Sequence, residues 1–104
     1  MSEVHYTHGM WRVKPGKEAE FIEAWKALGD IFRALPNPPG PGQGILIQNV
    51  ADPLLYYSVG PWRSSEDLAA MRASPHAQAG IKRLENLCDD GVRGTCRLVA
   101  SAEV

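Results

Sequence analysis

Between Trp62 and Pro75 the chain starts two helices ten residues apart, and few folds accommodate that. Trp62-Arg63 ends a run of strand-forming residues, and Ser64-Ser65-Glu66-Asp67 follows at once. Ser64 is placed to accept from the backbone N–H of Asp67, and Asp67 to reach back to Ser64, a reciprocal cap. Ser74-Pro75 then restarts the chain, with Ser74 as N-cap and Pro75 at the first helical position. A strand therefore runs straight into a broken helix. The indole at its end is expected at the mouth of a pocket facing the helix N-terminus.

The flanking segments extend this pattern. Residues 4–13 are rich in β-branched and aromatic side chains and stop at Lys14-Pro15-Gly16, which predicts a strand. From about Lys17, the residues Phe21, Trp25, Leu28, Phe32 and Leu35 recur at steps of four and three, one stripe of a helix. Glu18, Glu20 and Glu23 early and Arg33 late suit its dipole. Pro36-Asn37-Pro38-Pro39-Gly40-Pro41-Gly42 admits neither helix nor strand and reads as a loop within one domain. Residues 44–50 predict a buried strand stopped by Asp52-Pro53, and 54–62 a second, paired with it as an antiparallel hairpin. The broken helix covers 64–73 and then continues to about Cys88, burying Ala77, Ile81, Leu84 and Cys88. Asp89-Asp90-Gly91 predicts a turn, and 92–102 a last strand. The order β-α-β-β-α-β, with its second helix broken, is the ferredoxin-like split pattern. It predicts a single α+β domain over 1–104, with a four-stranded antiparallel sheet and helices on one face.

Composition excludes several classes. A net charge of −1 with scattered Lys and Arg provides no nucleic-acid footprint. No stretch approaches the roughly 20 apolar residues of a membrane span. Charged residues run through 1–20, so no signal-peptide core is present and a cytoplasmic protein is expected. Cys88 and Cys96 are too few for a disulfide framework and read as reduced thiols; a Cys88–Cys96 bridge across a helix-to-strand turn is the alternative. His5 and His8 face opposite sides of a strand, and no CxxC, HxH or HxxxH pattern occurs, so no metal site is expected. No Gly-rich phosphate loop follows a strand either.

Strand 54–62 is apolar or aromatic on both faces, with Leu54, Tyr56 and Trp62 on one and Leu55, Tyr57 and Val59 on the other. Helices cover only one face of such a sheet. The other would leave an apolar patch in water, which predicts a homodimer joined through the sheet face, with Tyr57 in the interface. A monomer whose second face is decorated with Tyr is the competing reading.

Two segments resemble the antibiotic-biosynthesis monooxygenase domain: Val13-Lys14-Pro15-Gly16-Lys17-Glu18-Ala19-Glu20-Phe21 with Trp25, and Trp62-Arg63-Ser64-Ser65-Glu66-Asp67-Leu68 with Met71-Arg72-Ala73-Ser74-Pro75-His76. The resemblance covers almost the whole chain. It implies a ferredoxin-like protomer, a dimeric α+β barrel and a cleft between sheet and helices. Members include cofactor-independent oxygenases, in which a deprotonated phenolic substrate itself supplies electrons to O₂, and haem-degrading enzymes. The haem branch carries an Asn on strand one and a Trp and a His on the helices; Gly9, Met71 and Ile81 stand at those positions here. Haem cleavage is therefore not expected, and no cofactor is implied.

Against that background, His8, expected on an inner sheet face, is the candidate general base, because imidazole is the side chain most often used to take up and release a proton in catalysis. Trp62 and Tyr56 are candidates for an aromatic substrate-binding wall, and Arg72 for a cation that orients an anionic substrate. Each has a plainer reading: core packing for Trp62 and Tyr56, a satisfied or exposed imidazole for His8, a solvated helix face for Arg72. His76, in a helix's first turn, reads as a surface residue. The functional expectation is a cofactor-independent monooxygenase acting on a small aromatic or quinol-type molecule. A non-catalytic dimeric ligand-binding or stress-associated protein of the same fold is the alternative, and an isomerase or lyase of the superfamily a third.

Overall fold

A computed structural model describes residues 4–40 and 42–103. Pro41 of the proline-rich loop, residues 1–3 and Val104 lie outside the described residues. The elements are β1 His5–Val13, α1 Glu18–Arg33, β2 Ile45–Gln48, β3 Leu55–Trp62, α2 Ser65–Ala73, α3 Pro75–Asn86 and β4 Cys88–Arg97. The four strands form one sheet in the order β2-β3-β1-β4, every pair antiparallel. This is the ferredoxin-like α+β arrangement.

Period-two alternation assigns the faces. On β1 the odd positions Gly9, Trp11 and Val13 are buried while the even positions are not, so the odd face carries the helices. Register places Tyr56 opposite Trp11 and Trp62 opposite His5 on that helix face. The even face joins His8 to Val59 and Met10 to Tyr57, with Ile45 and Ile47 beyond them on β2.

Two clusters form the core. Trp11, Val13, Phe21, Ala24, Leu28, Tyr56 and Leu84 make the first, with the Trp11 and Phe21 rings 5.8 Å apart and Phe21 and Tyr56 5.3 Å apart. Trp62, Leu68, Met71 and Ala77 make the second, where Trp62 meets Phe32 edge-on at 5.2 Å. The stripe on α1 thus feeds both clusters. Gly80 lets α3 approach α1 closely, since a Cβ there would stand 2.8 Å from Leu28 Cδ1.

Local signals explain the helix starts. Ser64 Oγ accepts from the Asp67 N–H at 3.1 Å, and Ser74 Oγ from the Ala77 N–H at 3.3 Å. Of the reciprocal cap expected at Ser64, only this half forms among the described residues. In the β2–β3 connection, Asn49 Oδ1 accepts from the Ala51 and Asp52 N–H groups, both at 2.9 Å. Arg12 Nη2 reaches Asp52 Oδ2 at 2.9 Å and ties that loop back to β1.

Several expectations need correction. Strand β2 is not buried: it spans Ile45–Gln48 at the sheet edge, with Ile45 50% and Ile47 55% exposed. An edge strand in this order lacks a neighbour on one side and helix cover on the even face. Helix α3 ends at Asn86, and Cys88 begins β4 instead of finishing the helical stripe. Asp89-Asp90-Gly91 does not turn; pairing with β1 keeps it extended, Asp90 facing Arg12 and Gly91 facing Trp11. A register shift between Arg12 and Val13 leaves Asp89 as the extra residue between the paired Cys88 and Asp90. The last strand ends at Arg97, not at 102. Trp62 is not at an open mouth, being 1% exposed.

Removal of that indole opens a cavity in the second cluster. Trp62→Ala is expected to destabilise the fold by about 3–5 kcal/mol, read from urea unfolding midpoints. Loss of the cap in Ser64→Ala is expected to be worth about 1 kcal/mol.

Candidate functional site

Two large cavities lie between the sheet and its helices among the described residues. One, of about 880 Å³, is bounded by β1 and β4 below and by α1, the end of α2 and α3 above. The other, of about 730 Å³, lies between α1, β3 and the loop carrying Pro39, Gly42, Gln43 and Gly44. Thr7, Trp25, Leu28, Phe32 and Ser58 line both, so the cavities adjoin at a waist made of these five side chains. Both volumes fall in the range that holds a small organic molecule.

The floor at the waist owes its shape to Gly9. A Cβ at that position would press into the Trp11 indole and stand 2.7 Å from Ser58 Oγ. With glycine there, the indole lies across the bare strand, and its Nε1–H donates to Ser58 Oγ at 3.0 Å. Thr7, on the same face, donates from Oγ1 to the Gly60 carbonyl at 3.4 Å. The larger cavity has an apolar interior formed by Trp11, Trp25, Leu28, Phe32, Ile81 and Leu84. At its rim stand Arg72, Lys82 and Arg93 against a single carboxylate, Glu85, which Arg93 Nη2 meets at 3.4 Å. Arg72 also donates through Nη2 to Thr95 Oγ1 on β4, which holds it over the cleft edge.

The candidates chosen from sequence do not converge. Arg72 is at the rim of the larger cavity. Trp62 lines the smaller cavity but is wedged against Phe32. Tyr56 lines neither; it is 3% exposed, and its hydroxyl accepts from Gln48 Nε2 at 3.1 Å. Burial, with the Glu18 charge adding, raises its pKa, so the phenol stays protonated in neutral solution. His8 borders the cleft through its place on β1, but it occupies an even position, and its side chain belongs to the open face with Tyr6 and Met10. His8 and Trp62 therefore lie on opposite faces of the sheet. His76 is exposed in the first turn of α3.

What sequence reasoning missed is the Gly9–Trp11–Ser58 unit, together with Thr7 and Trp25. One signal for it was present. A glycine two residues before a tryptophan on a strand leaves a vacant patch on the very face that the indole occupies.

Among the described residues, no group of three or more His, Cys, Asp or Glu side chains could hold a metal ion. The positions aligned with the haem branch are unsuited to haem: Gly9 is roofed by Trp11, and Met71 is packed into the second cluster. No helix among the described residues is long and apolar enough to cross a membrane. Cys88 and Cys96 are both free. Their partners on β1, Val13 and Tyr6, are seven positions apart, too far for a disulfide.

Fold and cleft together define a ferredoxin-like domain with a chamber roofed by helices on one sheet face. The family model for antibiotic biosynthesis monooxygenases matches residues 5–83, and the chain belongs to that family. Among solved structures it is similar to SnoaB, a cofactor-independent oxygenase from Streptomyces nogalater, at 16% identity with a TM-score of 0.73, over 100% of this chain and 98% of that one. A Bordetella bronchiseptica protein given the same family description is 17% identical with a TM-score of 0.77, over 95% of this chain and 100% of that one. A Pseudomonas aeruginosa protein reaches 22% with a TM-score of 0.73, over 96% and 98%. At these identities the likeness is one of fold. No curated protein matches the sequence.

Two outcomes follow from the geometry. Gly9→Ala is expected to displace the indole and perturb the near-ultraviolet signal of Trp11 while far-ultraviolet ellipticity is kept. The second concerns Cys88, whose thiol desolvation pushes up to about 11, with Asp89 adding to the effect. The unfolded chain releases this proton near pH 9, before the folded state can. Stability is therefore expected to fall as pH rises from about 9 to 11, more in the native sequence than in Cys88→Ala. Paired urea titrations at pH 8 and 10.5 read the difference.

Proposed function

We propose that the protein is a cofactor-independent oxygenase acting on a small aromatic molecule of the phenol or quinol type, bound in the cleft between sheet and helices. The observation that carries this reading is the contrast within the larger cavity, an apolar aromatic interior beneath a rim of three cations and one carboxylate. Such a chamber excludes water from the ring system and favours its anion. Cations near a phenol lower its pKa, and the deprotonated ring is then the electron donor to O₂. Arg72 is the orienting cation. Trp62 and Tyr56 support the aromatic wall from behind. A dedicated imidazole base is not needed, because the rim lowers the ring's pKa and the released proton passes to solvent water at the cleft edge.

The protein acts as a homodimer through the even face of the sheet. Ile45, Ile47 and Val92 are each about half exposed, at 50%, 55% and 53%. By register Tyr57 and Met10 lie between Ile47 and Val92 in one continuous row across all four strands. An apolar band of that extent is costly in water and matches a second copy of itself. Free Cys88 and Cys96 suit a reducing compartment such as the cytoplasm. The position of His8 on the far face favours the second reading, a dimeric protein that binds a small aromatic ligand without turning it over.

Oxygen uptake with a panel of anthrones and hydroquinones, with no metal or flavin added, decides between the two. Uptake above the uncatalysed rate is expected. Arg72→Ala should lower kcat/KM about tenfold, the weight of one charge-assisted contact. His8→Ala should leave the rate within about twofold. Saturable binding with no uptake overturns the oxygenase reading and leaves the binding one. Light scattering after size exclusion should give twice the 11.4 kDa chain mass; a clean monomer at micromolar concentration refutes the dimer.

A further inference from the structure

We infer that Trp25 sets how long a ligand the cleft accepts. It divides the two chambers at the waist and keeps short fused-ring systems in the larger one, under the cationic rim. The inference rests on the cleft being a ligand chamber, as proposed above. It adds the ligand feature that the chamber reads: the length of a planar, linearly fused ring system.

Five side chains line both cavities, and four of them are fastened. Leu28 is 7% exposed within the first core cluster, and Phe32 is held edge-on by Trp62. Thr7 donates to the Gly60 carbonyl, and Ser58 accepts from the Trp11 indole. Trp25 is the exception. It is half-buried, packs on the outside of the first cluster, and has neither a ring partner nor a hydrogen bond among the described residues.

What Trp25 covers is nearly bare. Register sets Thr7 against Gly60 on the helix face. Gly60 in turn lies beside Gly44, since a Cβ on Gly60 would stand 3.9 Å from Gly44 Cα. From β1 to the start of β2, no side chain larger than Thr7 rises from the sheet at that level, and the smaller cavity occupies the space left over. The far edge of the Trp25 indole reaches across this floor: a Cβ on Gly44 would stand 3.7 Å from both Cη2 and Cζ2 of the ring. The indole therefore spans from α1 to the edge of the sheet as a partition, with a chamber on either side.

A partition of this kind selects through the cost of moving it. Each chamber has room for a small organic molecule, so a short ligand needs only one. In the larger chamber such a ligand lies under Arg72, Lys82 and Arg93, and the indole stops it from sliding along the bare floor away from those charges. A longer ring system has to push the indole off Gly44. The side chain then gives up that contact and its favoured rotamer, at a cost of up to about tenfold in affinity. Glycine at position 44 leaves the movement open. Alanine there would hold the ring edge in ordinary van der Waals contact.

The test uses three coloured quinones built on one dihydroxyquinone core. They are 5,8-dihydroxy-1,4-naphthoquinone with two rings, 1,4-dihydroxyanthraquinone with three, and 6,11-dihydroxy-5,12-naphthacenequinone with four in a line. Their binding needs no O₂, and visible absorbance reads each dissociation constant. The native protein should bind the two- and three-ring members within about threefold of each other and the four-ring member about tenfold more weakly. In Trp25→Ala the ratio of the four-ring to the two-ring dissociation constant should fall about tenfold. Gly44→Ala should move the same ratio the other way, by about threefold. A role limited to supporting the core would weaken all three ligands alike and leave the ratio unchanged. Far-ultraviolet ellipticity checks folding, and Trp25→Leu replaces the alanine variant if that one unfolds.

Equal native affinity for the three- and four-ring members, an unchanged ratio in the Trp25 variant, or a native protein that binds none of the series overturns the inference. Its fate is separable from that of the oxygenase reading. Trp25-dependent length discrimination without oxygen uptake on anthrones would remove the reaction and keep the partition. Oxygen uptake that treats short and long anthrones alike in native protein and Trp25→Ala would do the reverse.

Discussion

Trp11 lying flat across Gly9 is the contact on which the rest of the structure depends. A tryptophan standing upright from the middle strand would fill the space between sheet and helices. Laid along the strand, it presses one edge on Phe21, which in turn meets Tyr56, and so closes the first core cluster. Its other edge reaches Ser58 and becomes the floor of the cleft. One side chain thus belongs to both core and chamber, and the vacancy above Thr7 and Ser58 follows from its orientation. The helices bridge that vacancy because they hold one another: Gly80 brings α3 against Leu28 of α1, so the roof does not have to rest on the sheet at that point.

The second constraint is that the sheet is covered on one side only. Buried aromatic and aliphatic groups of β1 and β3 face the helices, while Ile45, Ile47 and Val92 face outwards. The two faces have different tasks. The helix face combines core with chamber, and its polar groups are few and directed. The open face carries one apolar row from edge to edge, Ile47, Tyr57, Met10 and Val92, flanked by His8 and by Arg12 with Asp90. His8 belongs to the open face, and that placement moves the weight of the functional account from a histidine base to the cationic rim.

The parts of the fold written in short-range signals were legible. The 4-3-4-3 stripe gave α1, Ser64 and Ser74 gave the two helix starts, and the hairpin followed from two apolar runs around Asp52-Pro53. Errors arose where pairing partners overrode local chemistry. Asp89-Asp90-Gly91 has the composition of a turn, yet β1 keeps it extended as part of β4. The Ile-Leu-Ile run of β2 looks the same at an edge as in the middle of a sheet, and only strand order shows that it is exposed. The site was less legible than the fold for the same reason. Alternation correctly grouped His8 with Tyr6 and Met10, but the sequence does not label which face the helices cover. Trp11 and Ser58 are 47 residues apart and meet only through the β1–β3 register.

The central claim is that ligands enter the chamber on the helix face, over Trp11 and Trp25, and not the apolar open face. Indole cross-peaks report this directly, because the chain has three tryptophans, one at the floor of the cleft, one at its waist and one wedged against Phe32. A ¹⁵N–¹H spectrum titrated with 1,8-dihydroxyanthraquinone should move the Trp11 and Trp25 indole peaks in a saturable way and leave the backbone amides of Ile45, Ile47 and Val92 in place. Shifts confined to those open-face amides, with the Trp11 and Trp25 indoles unmoved, would contradict the account.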